Sequence, residues 1–235
     1  MYNPASAHLC LRARPVAYDL TKPYGRFMAY MNMQLEDHGI VRSIYNNFFA
    51  LPGGMYRCSQ PSPAQIRKYH RRYGIKTIIN LRGENPHGSY DLEVDTCREL
   101  GIELINFNLY SRDMPSVEEV LGARDLFERI AYPALMHCKS GADRAGLGAT
   151  FYRHFRLGEP LDQIRELSPK YGHFTIARTG ILDFFLACYQ ADNARTPIDF
   201  LTWVQTRYDQ KALTEKFDAR SRLGTWFVDK VLRRE

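Results

Sequence analysis

The stretch Ala134-Leu135-Met136-His137-Cys138-Lys139-Ser140-Gly141-Ala142-Asp143-Arg144-Ala145-Gly146-Leu147-Gly148 constrains the fold more than any other part of the chain. It opens as a short apolar run of strand type, crosses a small polar turn, and leaves through small residues into an apolar-periodic segment of helical type. Cys138, a nucleophile, thereby falls where a strand turns into a helix. The first turn of a helix leaves backbone N–H groups without intrahelical partners and carries the positive end of the macrodipole, so it binds anions. Lys139, Ser140, Gly141, Ala142 and Asp143 suffice for a loop whose N–H groups curl around one tetrahedral dianion, with Gly141 permitting the backbone angles. Arg144 would close the cradle with a planar fork suited to two phosphate oxygens. A thiol in such a setting titrates at roughly 3.5–7.5 instead of about 8.5, and the thiolate is a competent nucleophile at neutral pH.

Upstream, the same alternation repeats. Asn46 to Leu51 and Met55 to Cys58 are short β-type runs around the turn signal Pro52-Gly53-Gly54, which predicts an edge hairpin. Ser62-Pro63 starts a helix that runs to Tyr73 and stops at Gly74. Ile75 to Leu81 is a continuous apolar strand, Tyr90 to Leu100 a helix stopped by Gly101, and Ile102 to Phe107 the next strand. Ser116-Val117-Glu118-Glu119 has capping-box spacing and opens a helix to about Ile130. After Arg144 the pattern predicts helices over Ala145 to Arg156, Leu161 to Ser168 and Thr175 to Ala191, with one or two more beyond Arg195-Thr196-Pro197. This is an α/β fold with a central, mostly parallel sheet of four to five strands flanked by helices, with extra C-terminal helices. Ligands of such sheets bind beyond the carboxyl ends of the strands, where Cys138 would lie. Residues 1–45 lack a clean period and read as an irregular extension, 46–192 as the catalytic domain, and 193–235 as a helical extension packed on it.

His-Cys-x5-Arg, spelled by His137, Cys138 and Arg144, resembles the signature of the Cys-based protein tyrosine phosphatases, in particular the compact dual-specificity branch and its bacterial and fungal relatives. The segments Met55-Tyr56-Arg57-Cys58-Ser59-Gln60-Pro61-Ser62 and Thr77-Ile78-Ile79-Asn80-Leu81-Arg82-Gly83-Glu84 resemble that group's opening strands, so the likeness spans roughly residues 45–190. It implies a dual-specificity-phosphatase-like fold and a metal-independent, cofactor-free hydrolysis of phosphomonoesters through a phosphocysteine. One position departs from the pattern. The family usually has Ser or Thr directly after the arginine, helping the cysteine leave in the second step, and this chain has Ala145.

The reaction needs an acid for the departing oxygen. Asp113, in Asn108-Leu109-Tyr110-Ser111-Arg112-Asp113-Met114-Pro115, follows a strand and should sit at the same sheet end as the loop; it lies 25 residues before Cys138, close to where compact members of the family keep theirs. Asp143 is the rival, since some phosphoinositide-directed members resemble this chain in placing Asp just before the arginine. The resemblance gives His137 a supporting role, its ring bonding loop backbone. Ser140 bonds the loop or assists the leaving sulfur, and Lys139 widens the anionic pocket or is simply solvated. Arg82 and Glu84 are expected to pair with each other or with loop carbonyls. Tyr171, His173 and Arg178 are candidates for the pocket rim.

Other functions fit less well. Gly141-x4-Gly146 imitates half of a nucleotide-binding loop, but Leu147 and Gly148 stand where Lys and Ser/Thr are required. A rhodanese-type sulfurtransferase also has a strand-end cysteine, yet Arg144 with Gly141 and Gly146 favours a phosphatase. A non-catalytic phosphate reader would have no need of Cys138, Arg144 and an acid together. Five cysteines, Cys10, Cys58, Cys97, Cys138 and Cys188, are irregularly spaced and odd in number, which opposes a disulfide scaffold or structural zinc site. Cys58, Cys97 and Cys188 read as small buried hydrophobes, with Cys58 the first choice if one of them resolves an oxidised Cys138.

The net charge of +6 favours anionic partners without singling one out. The expected partners are a phosphorylated protein or a phosphorylated lipid or inositol, and no nucleic acid. The aromatic and basic tail, with Phe200, Trp203, Tyr208, Phe217, Trp226 and Phe227, either docks on the domain or lies on an acidic membrane surface. No basic-apolar leader and no run of 18 apolar residues is present, so a cytoplasmic location is the expectation.

Overall fold

The computed structural model of the protein describes residues 18–175 and 178–219. Its strands are β1 (Phe49–Leu51), β2 (Met55–Ser59), β3 (Thr77–Asn80), β4 (Glu103–Asn106) and β5 (Ala134–Cys138), joined in the order β1-β2-β5-β3-β4. β1 and β2 form the antiparallel hairpin that Pro52-Gly53-Gly54 predicts, and every other pairing is parallel. All residues of β3 and β5 are buried. That burial on both faces is why these strands read as continuous apolar runs rather than alternating ones.

Helices cover both faces. On one side α3 (Pro63–Tyr73) and α4 (Gly88–Leu100) enclose a cluster of Cys58, Ile66, Tyr69, Ile78, Cys97 and Leu135. On the other, α5 (Val117–Arg129) and α6 (Asp143–Leu157) build the larger core with Met55, Ile79, Met136, Phe127 and Phe151. Both capping boxes form. Ser62 Oγ accepts from Gln65 N–H and Ser116 Oγ from Glu119 N–H, contributions of about 1 kcal/mol each.

After α6 come α7 (Ile181–Arg195) and α8 (Phe200–Thr206), and residues 210–219 are helical. Phe200, Trp203 and Val204 are buried in the larger core, and Tyr208, Leu213 and Phe217 pack against it. The aromatic residues of 200–217 thus face the domain rather than forming an open apolar face for a membrane. Trp226 and Phe227 lie outside the described residues, as does Cys10. Among the described residues no helix is long and apolar enough to cross a membrane.

Three expectations need correction. Residues 23–44 are not irregular: α1 (Pro23–Leu35) and α2 (Gly39–Ile44) are helices. Their period is blurred because α1 buries only Ala29 and Met33, against Leu92 of α4, while Tyr24, Phe27 and Leu35 stay exposed. Residues 161–168 hold turns instead of a helix. Leu161, Ile164 and Leu167 have helical spacing, but side chains satisfy the local carbonyls: Arg165 Nη1 donates to those of Asp162 and Ile164, and Arg57 Nη1 to that of Glu166. Finally, the helix expected from Thr175 begins at Ile181, after a short 3-10 turn over Arg178–Gly180.

Candidate active site

Because β3, β4 and β5 are parallel, their carboxyl ends share one edge of the sheet. Cys138 ends β5 there, 2% exposed, and α6 begins five residues later at Asp143. The loop between them is gripped from outside. Gln60 N–H donates to the Lys139 carbonyl (3.3 Å) and Asn47 Nδ2 to that of Ser140 (3.0 Å). Arg57 Nη2 donates to the carbonyls of Gly141 (2.8 Å) and Ala142 (3.0 Å).

In a trans peptide the carbonyl and the following N–H point in opposite directions. Four carbonyls drawn outward therefore turn the N–H groups of Ser140, Gly141, Ala142 and Asp143 inward. None of these four N–H groups donates to another group among the described residues. Together with the N-terminus of α6 they would suit an anion. Gly141 has φ +73°, and a Cβ there would meet the Cys58 carbonyl carbon at 2.6 Å, so the loop lies flat on β2 only because this residue is glycine.

Arg57 was not among the residues singled out from the sequence, yet it is the keystone of the loop. It is fully buried in β2, pairs through Nη1 with Glu166 Oε2 at 2.8 Å, and stacks 4.3 Å over the ring of Tyr171. Register explains its reach, since Arg57 lies opposite Met136 and shares its face with Cys138, directly under the start of α6. A charged residue inside the strand Met55–Ser59 was the only sequence signal. Asn47 carried none; its left-handed φ of 49° lets Nδ2 bridge the Ser140 and Tyr171 carbonyls.

Arg144 is partly buried on the first turn of α6, and among the described residues no hydrogen bond or ion pair occupies its guanidinium. Ala145 is fully buried. Asp113 stands exposed on the loop between β4 and α5, at the same sheet edge, and among the described residues no hydrogen bond or ion pair joins it to the cysteine loop. Its loop is instead held by the C-terminal part of the chain. Tyr208 Oη donates to the Pro115 carbonyl (2.7 Å), Gln210 Nε2 to that of Met114 (2.8 Å) and Arg178 Nε to that of Arg112 (3.0 Å).

Asp143 is engaged elsewhere. Its Oδ1 lies 2.7 Å from Nδ1 of His173, whose Nε2 lies 2.7 Å from Oδ2 of Asp183 on α7. Two carboxylate acceptors require both ring nitrogens to donate, which makes His173 an imidazolium. Burial alone would lower its pKa, but the hydrogen bonds to Asp143 and Asp183 outweigh that and raise it to about 9.

Other expected partners are replaced. The His137 ring does not bond loop backbone; it is buried with Nε2 2.6 Å from Oε1 of Glu93, in poor hydrogen-bond alignment, because residue 137 faces α4 while Cys138 faces α6. Arg82 pairs with Asp37, not Glu84: Nη1 and Nη2 meet Oδ2 and Oδ1 at 2.8 and 2.9 Å. Lys139 is drawn to the same carboxylate, with Nζ 3.4 Å from Oδ1. Burial would raise the Asp37 carboxyl, but Arg82, Ser89 and Arg42 hold it well below the usual carboxylate range. Cys58 pairs in register with His137 and belongs to the α3/α4 cluster, on the face of the sheet opposite Cys138. Burial pushes its thiol well up, so it is poorly placed and poorly ionised to resolve an oxidised Cys138.

A mostly parallel sheet that ends in a cysteine, followed by a loop of N–H groups unpaired among the described residues and an arginine on the first turn of the next helix, fits the class of Cys-based tyrosine and dual-specificity phosphatases. The family model described as "DSP-PTPase phosphatase fused to NAD+ Kinase" matches residues 53–170, half of the chain, and the chain belongs to this family of phosphatases. Among solved structures, P. aeruginosa TpbA is similar at 18% identity, with 64% of this chain and 89% of that one covered and a TM-score of 0.49. The core catalytic domain of the PP-IP phosphatase Siw14 from S. cerevisiae is similar at 20% identity, covering 66% and 96%, with a TM-score of 0.47. No curated protein matches the chain significantly.

Proposed function

We propose that the protein hydrolyses phosphomonoesters without a metal, through a phosphocysteine on Cys138, and that phosphotyrosine, with or without phosphoserine and phosphothreonine, on protein is its substrate class. Residues 46–192 would form the catalytic domain, flanked by the two extensions. The observation that carries this reading is the grip on the carbonyls of residues 139–142, which turns the four following N–H groups away from the gripping residues and leaves them free for a ligand beside the cysteine.

A phosphate dianion in that cradle has its oxygens held by the N–H groups and Arg144. The Cys138 thiolate attacks phosphorus in line, the S–P bond forms as the ester P–O bond breaks, and Asp113 gives its proton to the departing oxygen. Water then attacks the phosphocysteine, Asp113 takes up its proton, and the S–P bond breaks to release inorganic phosphate. Asp113 is preferred to Asp143 because Asp143 is committed to the His173 cation. Protein is preferred to inositol phosphates because Lys139, the residue that would widen the anionic pocket, leans on Asp37.

The test is phosphate release, with EDTA present, from phosphotyrosine and phosphoserine peptides, phosphoinositides and soluble inositol phosphates. Turnover confined to the peptides supports the reading, and turnover confined to the others replaces it. In the same assay Asp113→Asn is expected to slow an ester with a poor leaving group by about 10²–10³-fold, and one with a good leaving group far less. If Asp143→Asn shows that dependence and Asp113→Asn does not, Asp143 is the acid.

A further inference from the structure

The chain puts a carboxylate, Asp143, between Ala142 and Arg144, inside a loop that must accept a dianion. Left alone, that charge would compete with the phosphate for the N-terminus of α6 and for Arg144. It is not left alone. We propose that His173 is a charge-compensating, positioning residue of the phosphate cradle: its imidazolium bridges Asp143 on the first turn of α6 and Asp183 on the first turn of α7, offsetting the carboxylate beside Arg144 so that the loop can bind a dianionic phosphate. The inference rests on the reading of the loop as a phosphate site.

The geometry supports a bridge rather than a chance contact. The His173 side chain is 1% exposed, and both its ring nitrogens lie 2.7 Å from a carboxylate oxygen. Its backbone is pinned as well, with its N–H donating to the Ser168 carbonyl at 3.1 Å. Gly172, at φ +79°, brings the segment against the loop, where a Cβ would stand 3.8 Å from that of Ala142.

The charged groups that act on His173 are Asp143 from α6 and Asp183 from α7. The guanidinium of Arg144, next to Asp143, has no hydrogen bond or ion pair among the described residues, and two further cations are used elsewhere. Lys170, on the same segment, lies over the rings of Phe49 and Tyr171, and Arg57 of β2 is held by Glu166 and the loop carbonyls. Protonation of His173 is thus the one adjustable charge in the bridge. Its raised value keeps it charged through neutral pH, and compensation is lost as pH rises through about 9.

The experiment measures tungstate binding by calorimetry on the full chain, from about pH 7.5 to about pH 10, beside kcat and KM for one peptide substrate. Tungstate is a dianion throughout that range. His173→Gln is expected to weaken tungstate and raise KM by roughly tenfold, with kcat changed by less than about threefold, and to remove the alkaline fall in affinity. The double variant Asp143→Asn/His173→Gln is expected to recover most of the lost affinity, because the uncompensated charge is gone. Should His173→Gln fold poorly, Asp183→Asn keeps the test alive: with one acceptor removed, the alkaline fall moves to lower pH. Affinity in His173→Gln equal to wild type, a double variant no better than the single one, or an unmoved fall in Asp183→Asn would overturn the proposal. If the wild type itself binds no tungstate, it is the phosphate-site reading that fails.

Discussion

Replacing Cys138 by serine is expected to cut phosphate release by on the order of 10⁴-fold or more while leaving the melting temperature close to that of the wild type. The two side chains are nearly isosteric, and the cysteine sits 2% exposed at the end of a strand whose other residues carry the packing. What changes is the nucleophile, because a serine hydroxyl is a far weaker nucleophile toward phosphorus than a cysteine sulfur. The variant keeps the cradle, so it should still bind tungstate. Activity within tenfold of wild type would mean that hydrolysis runs through another group.

Arg57→Met is expected to have the largest effect on stability. Both partners of the Arg57–Glu166 pair are essentially fully buried, at 0% and 1% exposure. Removing one partner of such a pair typically costs 3–5 kcal/mol, since the other charge is left in the interior. Here the lower end, about 3 kcal/mol, is expected, because Arg153 Nη1 still reaches Glu166 Oε1 at 2.9 Å. Chemical denaturation would show the loss as a lower midpoint with an unchanged slope. The same change frees the Gly141 and Ala142 carbonyls from their common donor, so turnover should fall even under conditions where the variant is fully folded. A midpoint unchanged from wild type would show that Arg57 is dispensable to the core.

These two residues mark how much of the molecule the sequence discloses. Cys138 is legible because its signals are local: a buried parallel strand is a continuous apolar run, a helix start needs small or capping residues, and an anion loop needs glycine. The capping boxes at Ser62 and Ser116 are legible for the same reason, each being complete within four residues. Arg57 and Asn47 are not, because their partners lie 84 and 93 residues away and nothing nearby announces them. The pairing of Arg82 with Asp37, 45 residues upstream, was hidden in the same way, and Glu84 offered a nearer but unused carboxylate.

Where local spacing misled, long-range contacts had overridden it. Leu161, Ile164 and Leu167 keep a helical rhythm, but Arg57 and Arg165 take the carbonyls a helix would use. Asp143 is the intermediate case. Its position before Arg144 is plain in the sequence, but its partner, His173, lies 30 residues on and is visible only in three dimensions.

Ala145 leads to the most direct test of the phosphocysteine mechanism. Under the proposed mechanism, the methyl group of Ala145 offers the departing sulfur no hydrogen bond where the family resemblance implies a hydroxyl, so the second step should be the slower one and the intermediate should accumulate. Rapid mixing of enzyme with excess substrate, acid quenching and mass spectrometry of the peptide containing Cys138 is therefore the decisive measurement. The phosphocysteine mechanism requires one added phosphoryl group on Cys138 during turnover, diminished in Ala145→Ser and missing in Cys138→Ser. Steady turnover with Cys138 unmodified, or the phosphoryl group on any other residue, would contradict it.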